Sequence, residues 1–105
     1  MLDMNIIKFL MNNRTIVLSN RFLDMLTKRG ISLSHVKSAI YSSEIIEQYP
    51  NDYPYPSVLI LGYTNDNKPI HIAISVKEGL ACLFAIYYPS LDVWESDFKT
   101  RKVRI

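Results

Sequence analysis

Three apolar runs crowd the second half of this chain, and their spacing leaves few architectures open. SVLILGYT (57–64), PIHIAISVK (69–77) and LACLFAIYY (80–88) follow one another across the polar turns TNDNK and KEG. Short runs rich in β-branched and aromatic residues, bounded by turn residues, read as strands. With so little chain between them they form an antiparallel meander. In 69–77 the alternation is clean: Ile70, Ile72, Ile74 and Val76 lie on one side, His71, Ala73 and Ser75 on the other. Pro69 is tolerated because it opens the strand. The first run is apolar almost throughout, as in a strand covered on both faces. In the third, regular alternation sets Leu80, Cys82, Phe84, Ile86 and Tyr88 against Ala81, Leu83, Ala85 and Tyr87.

Ahead of the meander the apolar period lengthens. Leu2, Ile6, Phe9 and Leu10 share a helical face over 2–11, which NNR (12–14) ends. TIVLS (15–19) fits a strand or an extended lead-in. Ser19 offers its hydroxyl to the first turn of a helix that reaches Arg29, with Phe22, Met25 and Leu26 on one side and Gly30 as the stop. Ser32 or Ser34 starts a further short helix that turns Val36, Ala39 and Ile40 inward. EIIEQY (44–49) reads either as a strand or as an irregular last turn. PNDYPYP (50–56) is a loop, since each proline removes a backbone donor and pushes its predecessor out of helical geometry. In the tail, Leu91, Trp94 and Phe98 recur at roughly helical intervals.

Helices first and a meander after define an α+β class: N-terminal helices packed on one face of a small, mainly antiparallel sheet of three to four strands. The 105 residues, 49% of them hydrophobic, fit one domain over 1–105 and exclude a disordered tail. If the helices cover the isoleucine side, His71 faces the other, more accessible side.

Cys82 is the one cysteine, so no disulfide framework or thiolate metal cluster is available, and a reducing compartment is the simplest home. No run reaches the roughly eighteen apolar residues of a membrane helix. MLDMNIIKFLM reads as a short amphipathic helix, not a signal peptide, because Asp3, Asn5 and Lys8 interrupt it. A cytoplasmic location without membrane contact is therefore expected. The formal charge is only +2, but Lys99, Arg101, Lys102 and Arg104 crowd the end of the chain and permit contact with phosphate backbones.

Residue order then adds a likeness. The stretches KRGIS (28–32), EIIEQYPNDYPYPSVLILG (44–62), KPIHI (68–72) and AIYYPSLDVWESDF with Arg101 after it resemble the DUF4258 family over about residues 17–101. That family is similar in turn to the BrnT and RelE/ParE group of toxins. The resemblance implies a RelE-like scaffold, with RNA or an antitoxin-like protein as partner. The family pattern opens with serine, a variable residue, then histidine and alanine; here Ser19 is present but Arg21 and Phe22 stand in the last two places. A helix histidine therefore cannot be carried over, whereas His71 occupies the family's strand position for one.

Candidate chemistry follows from side-chain type. An imidazole such as His71 exchanges protons near neutral pH, as cleavage of RNA by its own 2′-hydroxyl requires; the alternative is a hydrogen-bonded structural histidine. Arg101, Arg21, Arg29 and Lys102 are candidates to stabilise charge on phosphoryl oxygens or simply to hold a backbone phosphate. Tyr87, Tyr88 and Trp94 can stack on bases or pack a small core. Glu95 and Asp97 lack companions for a metal, His35 has no local partner, and Cys82 reads as buried and inert. Neither metal nor cofactor is expected. Tyr49, Tyr53 and Tyr55, set among prolines, offer an aromatic surface to a protein partner or lie over the core edge. An exposed edge strand would also allow two copies to pair as a homodimer. Two readings stand: a metal-independent ribonuclease using His71, Arg101, Tyr87 and Arg29 or Arg21, and a non-catalytic protein- or nucleic-acid-binding module on the same scaffold.

Overall fold

The computed structural model describes residues 2–13 and 15–103, so Arg14 and Arg104, used above as part of a helix end and of the basic tail, lie outside the described residues. The elements run α1 (Met4–Asn12), β1 (Ile16–Leu18), α2 (Asn20–Arg29), α3 (Leu33–Tyr41), β2 (Glu44–Tyr49), β3 (Ser57–Tyr63), β4 (Pro69–Lys77) and β5 (Leu80–Tyr87). Each helix starts at a side-chain cap that satisfies an otherwise orphan backbone donor. Asp3 accepts from the Ile6 N–H at 2.9 Å, Ser19 from Phe22 at 3.0 Å and Ser32 from His35 at 3.2 Å. Gly30, with φ +63, closes α2 in the left-handed conformation that side chains disfavour.

The sheet has five strands in the order β1-β5-β4-β3-β2. The expected count of three to four is corrected at both edges. EIIEQY forms β2, antiparallel to β3, and residues 16–18 form β1, parallel to β5, which makes the sheet mixed. Neither edge has a local signature, because β1 pairs with residues more than sixty positions later and β2 is irregular. The tail also departs from helical spacing: residues 89–103 form no helix but fold back in turns, with a bridge between Trp94 and Arg101.

All three helices cover one face of the sheet. Ile7, Leu10, Phe22, Leu26, Val36, Ala39 and Ile40 meet Val58, Ile60, Ile70, Ile72, Ile74, Ala81, Leu83 and Ile86 in one buried cluster. Each large aliphatic in it contributes about 1.5–3 kcal/mol of hydrophobic stabilisation. The closest approach is at Gly62, where a Cβ would fall 2.0 Å from the Ala39 carbonyl oxygen, so α3 lies directly on β3. The isoleucines of β4 thus face the helices, and the opposite, helix-free face carries His71.

Two irregularities decide what else reaches that second face. In β2 the register shifts between Ile45 and Glu47, which leaves Ile46 as an extra residue. In β5 it shifts so that Ala73 pairs with Ala85 and Ile74 with Leu83, which leaves Phe84 extra. A bulge reverses the facing of everything beyond it. Ile45 still pairs with the core residue Ile60, yet Glu47 pairs with Leu59 on the helix-free side. Likewise Ala81 and Leu83 point to the core, while Ala85 and Tyr87 do not. The unbroken alternation expected for 80–88 is therefore corrected after Leu83.

Candidate functional site

His71 lies in the middle strand of the helix-free face, flanked by Leu61 on β3 and Tyr87 on β5. Its strand parity is as the alternation predicts, but its accessibility is not: the residue is 0% exposed. The cover is the C-terminal strap. Turns hold it in shape, with Trp94 N–H donating to the Ser90 carbonyl at 3.0 Å and Lys102 N–H to the Val93 carbonyl at 2.8 Å. Asp97 accepts from the Lys99 and Thr100 N–H groups, both at 3.0 Å. The buried Trp94 ring meets the imidazole edge-on with centroids 4.5 Å apart.

Both imidazole nitrogens are engaged. Nε2 lies 2.6 Å from the Phe98 carbonyl oxygen, which can only accept, so the proton sits on Nε2. Nδ1 then accepts from the Tyr87 hydroxyl at 3.1 Å. Burial pushes the imidazole below its ordinary 6.5, although the Phe98 carbonyl and the Glu47 charge pull the other way. The ring is therefore neutral at physiological pH. Burial also raises the Tyr87 phenol above its ordinary 10.0 and keeps it protonated.

Arg101, at the end of the strap, reaches across to β2. Its Nε and one terminal nitrogen donate to the two Glu47 oxygens at 2.7 and 3.0 Å, a bidentate fork. The guanidinium also lies 4.5 Å from the Trp94 ring centroid. The Arg101 hydrogen bonds hold the Glu47 carboxyl below its ordinary 4.5, and Glu47 in turn raises Arg101 further. The Tyr49 hydroxyl donates to the same carboxylate. Lys99 pairs with Glu44 at 3.2 Å, a second tie from strap to β2.

Beside this cluster, a cleft of about 330 Å³ opens on the helix-free face, lined among others by Tyr49, Asp52, Ser57, Phe84, Tyr87 and Arg101. A second hollow of about 190 Å³ adjoins it through Asp52 and Phe84 and adds Tyr53, Tyr55 and Ser75. The structure thus brings His71, Tyr87 and Arg101 together but places only the last two on open space. Arg21 and Arg29 do not join them: α2 packs against β5 on the helix-bearing face, and both arginines are exposed there. Lys102 and Tyr88 are exposed, and Asp97 serves its turn. His35 sits in the first turn of α3, with Nδ1 buried and without a hydrogen-bond partner. Cys82 is corrected from buried to half-buried, since it pairs with Ser75 on the helix-free face. Glu47, Asp52 and the Phe98 carbonyl were not foreseen; a bulge, a loop and a backbone atom leave no periodic signal. Among the described residues no group of three or more histidine, cysteine or acidic side chains is placed to hold a metal, and no helix is long and apolar enough to cross a membrane.

Compared with known proteins, residues 18–87 match the family model of DUF4258, a domain of unknown function. The match ends where β5 ends, so the strap lies beyond it. No curated protein and no solved structure matches the chain.

Proposed function

This chain belongs to the DUF4258 family, and on that footing we propose that it acts, as one domain over 1–105, as a non-catalytic module on a RelE-like, toxin-like scaffold, binding a segment of a protein partner in the cleft beside the tyrosine-rich loop. The observation that carries this reading is the state of His71. A ring that is 0% exposed, neutral, and bonded at both nitrogens cannot give a proton directly to a bound substrate. The charge at the cleft points the same way. Among the described residues Arg101, the one cation lining the cleft, is matched by Glu47, and Asp52 adds a negative charge, so that lining offers a phosphate backbone no unpaired cation. What it offers is aromatic: Tyr53 is 93% exposed and Tyr49 is 40% exposed, an arrangement suited to a protein contact.

A second reading, a metal-independent ribonuclease, is favoured by one observation. The chain from Tyr87 hydroxyl to His71 Nδ1, and from Nε2–H to the Phe98 carbonyl, ends at the cleft wall. In that reading the Tyr87 oxygen would take the 2′-hydroxyl proton as its own passes to His71 Nδ1, and the 2′-oxygen would bond to the adjacent phosphorus as the bond to the 5′-oxygen breaks. The same relay run backwards would protonate the departing 5′-oxygen, with Arg101 meeting the phosphoryl oxygens. The experiment is an RNA cleavage assay on the purified chain beside Tyr87→Phe and Arg101→Ala, accompanied by growth on induced expression. The binding reading expects no cleavage and no growth arrest from any of them. Cleavage by the wild type that Tyr87→Phe abolishes would overturn it in favour of the enzyme.

A further inference from the structure

The cleft has an electrostatic and aromatic character that selects among protein segments. Asp52 is oriented from beneath, its Oδ2 accepting from the buried Ser57 hydroxyl at 2.6 Å and its Oδ1 from the Tyr53 N–H at 3.2 Å. Among the described residues no cation pairs with it. With Glu47 and Arg101 cancelling, Asp52 leaves the cleft one negative charge in excess. Around it stand the rings of Tyr49, Phe84 and Tyr87. A ring face attracts a cation through its quadrupole, more strongly when the site is partly desolvated. The same surface already seats two of the chain's own cations in this way: Lys77 Nζ lies 5.2 Å from the Tyr55 centroid, and the Arg101 guanidinium 4.5 Å from that of Trp94.

We propose that the cleft takes the cationic side chain of a lysine or arginine from a basic peptide segment, which sets its charge against Asp52 and its stem or guanidinium plane against Phe84 and Tyr87. This inference rests on the binding reading and names its ligand class. An anionic ligand would face Asp52 and a guanidinium already committed to Glu47. A cation meets the Asp52 carboxylate and the rings of Tyr49, Phe84 and Tyr87.

The test titrates the whole chain, by fluorescence anisotropy, with labelled tetra-arginine, with tetra-citrulline as its neutral isostere, and with an RNA decamer. Tetra-arginine is expected to bind roughly tenfold more tightly than tetra-citrulline. Asp52→Asn, which keeps the hydrogen bond from Ser57, and Phe84→Leu, which keeps apolar volume but removes the π face, should each weaken tetra-arginine about fivefold. Asp24→Asn on α2 removes an acid elsewhere and should change nothing. Near-UV circular dichroism shows whether each variant keeps the native packing. Equal binding of the two peptides, or binding indifferent to both cleft variants, would overturn the cationic ligand class. Tetra-citrulline binding that the cleft variants weaken would do so while leaving the binding reading intact. RNA binding that the cleft variants abolish, or RNA cleavage, would overturn both.

Discussion

At His71 a strand residue and a distant backbone carbonyl hold each other in place. The strand's two-residue alternation shows in the sequence which way the imidazole points. What covers it does not show, because Phe98 is 27 positions away and its contribution is a main-chain oxygen. His71→Ala would leave that oxygen and the Tyr87 hydroxyl unpaired beneath Trp94 and open a cavity. The expected loss is about 3 kcal/mol by urea unfolding, against about 1 kcal/mol for Tyr87→Phe, which removes one hydrogen bond. The same burial gives a pH dependence of definite sign. The unfolded chain protonates this histidine near 6.5, whereas the folded chain holds it neutral to lower pH. Below 6.5 the unfolded state therefore binds more protons, and stability falls until the folded group also titrates. The urea midpoint should drop between about pH 7 and 5.5 in the wild type and drop less in His71→Asn. Equal drops would place the source elsewhere.

The elements differ in how openly the sequence announces them. α2 and α3 carry their caps and inward stripes in consecutive residues, and β4 carries its alternation, so these are legible. β1 and β2 are not, since one depends on a partner far along the chain and the other is interrupted at Ile46. The junction of α3 with β3 is hidden for a different reason: Gly62 ends an apolar run without any mark that the backbone of another element lies against it. Gly62→Ala would drive a methyl into the Ala39 carbonyl, and backbone cannot rotate away as a side chain can. A destabilisation of about 3 kcal/mol is expected. The measurement is the denaturation midpoint, with Gly30→Ala as comparison at about 1 kcal/mol, because there the cost is only the positive φ. A milder effect at Gly62 than at Gly30 would mean that α3 shifts easily on the sheet.

For the whole molecule, the strap turns a two-layer domain into one whose second sheet face is partly enclosed. It is fastened by Arg101 to Glu47, by Lys99 to Glu44 and by Phe98 to His71. The Lys99–Glu44 pair is exposed and contributes at most about 1 kcal/mol, whereas the Arg101 fork ends on a largely covered Glu47 carboxylate and contributes more. They govern local opening more than global unfolding. In Arg101→Ala, hydrogen exchange at Glu95 and Lys102, whose N–H groups close the strap turn, should accelerate while amides of β3 and β4 stay protected. Uniform acceleration would show instead that strap and sheet open as one unit. Little of this cover was legible: the apolar spacing of Leu91, Trp94 and Phe98 is satisfied by packing over the sheet, not by a helix.

The extra residues Ile46 and Phe84 are the places where β2 and β5 tolerate a change of length. Loss of Phe84 alone would close the bulge, with Leu83 still against Ile74, Ala85 against Ala73 and the Tyr87 phenol beside His71, and loss of Ile46 would likewise leave Glu47 opposite Leu59. A deletion of one residue in the middle of β4, whose pairing with β3 runs without a shift, would instead turn part of that strand over and set either the His71 imidazole or an isoleucine on the wrong side of the sheet, a harm that the spare residues of β2 and β5 let those strands escape.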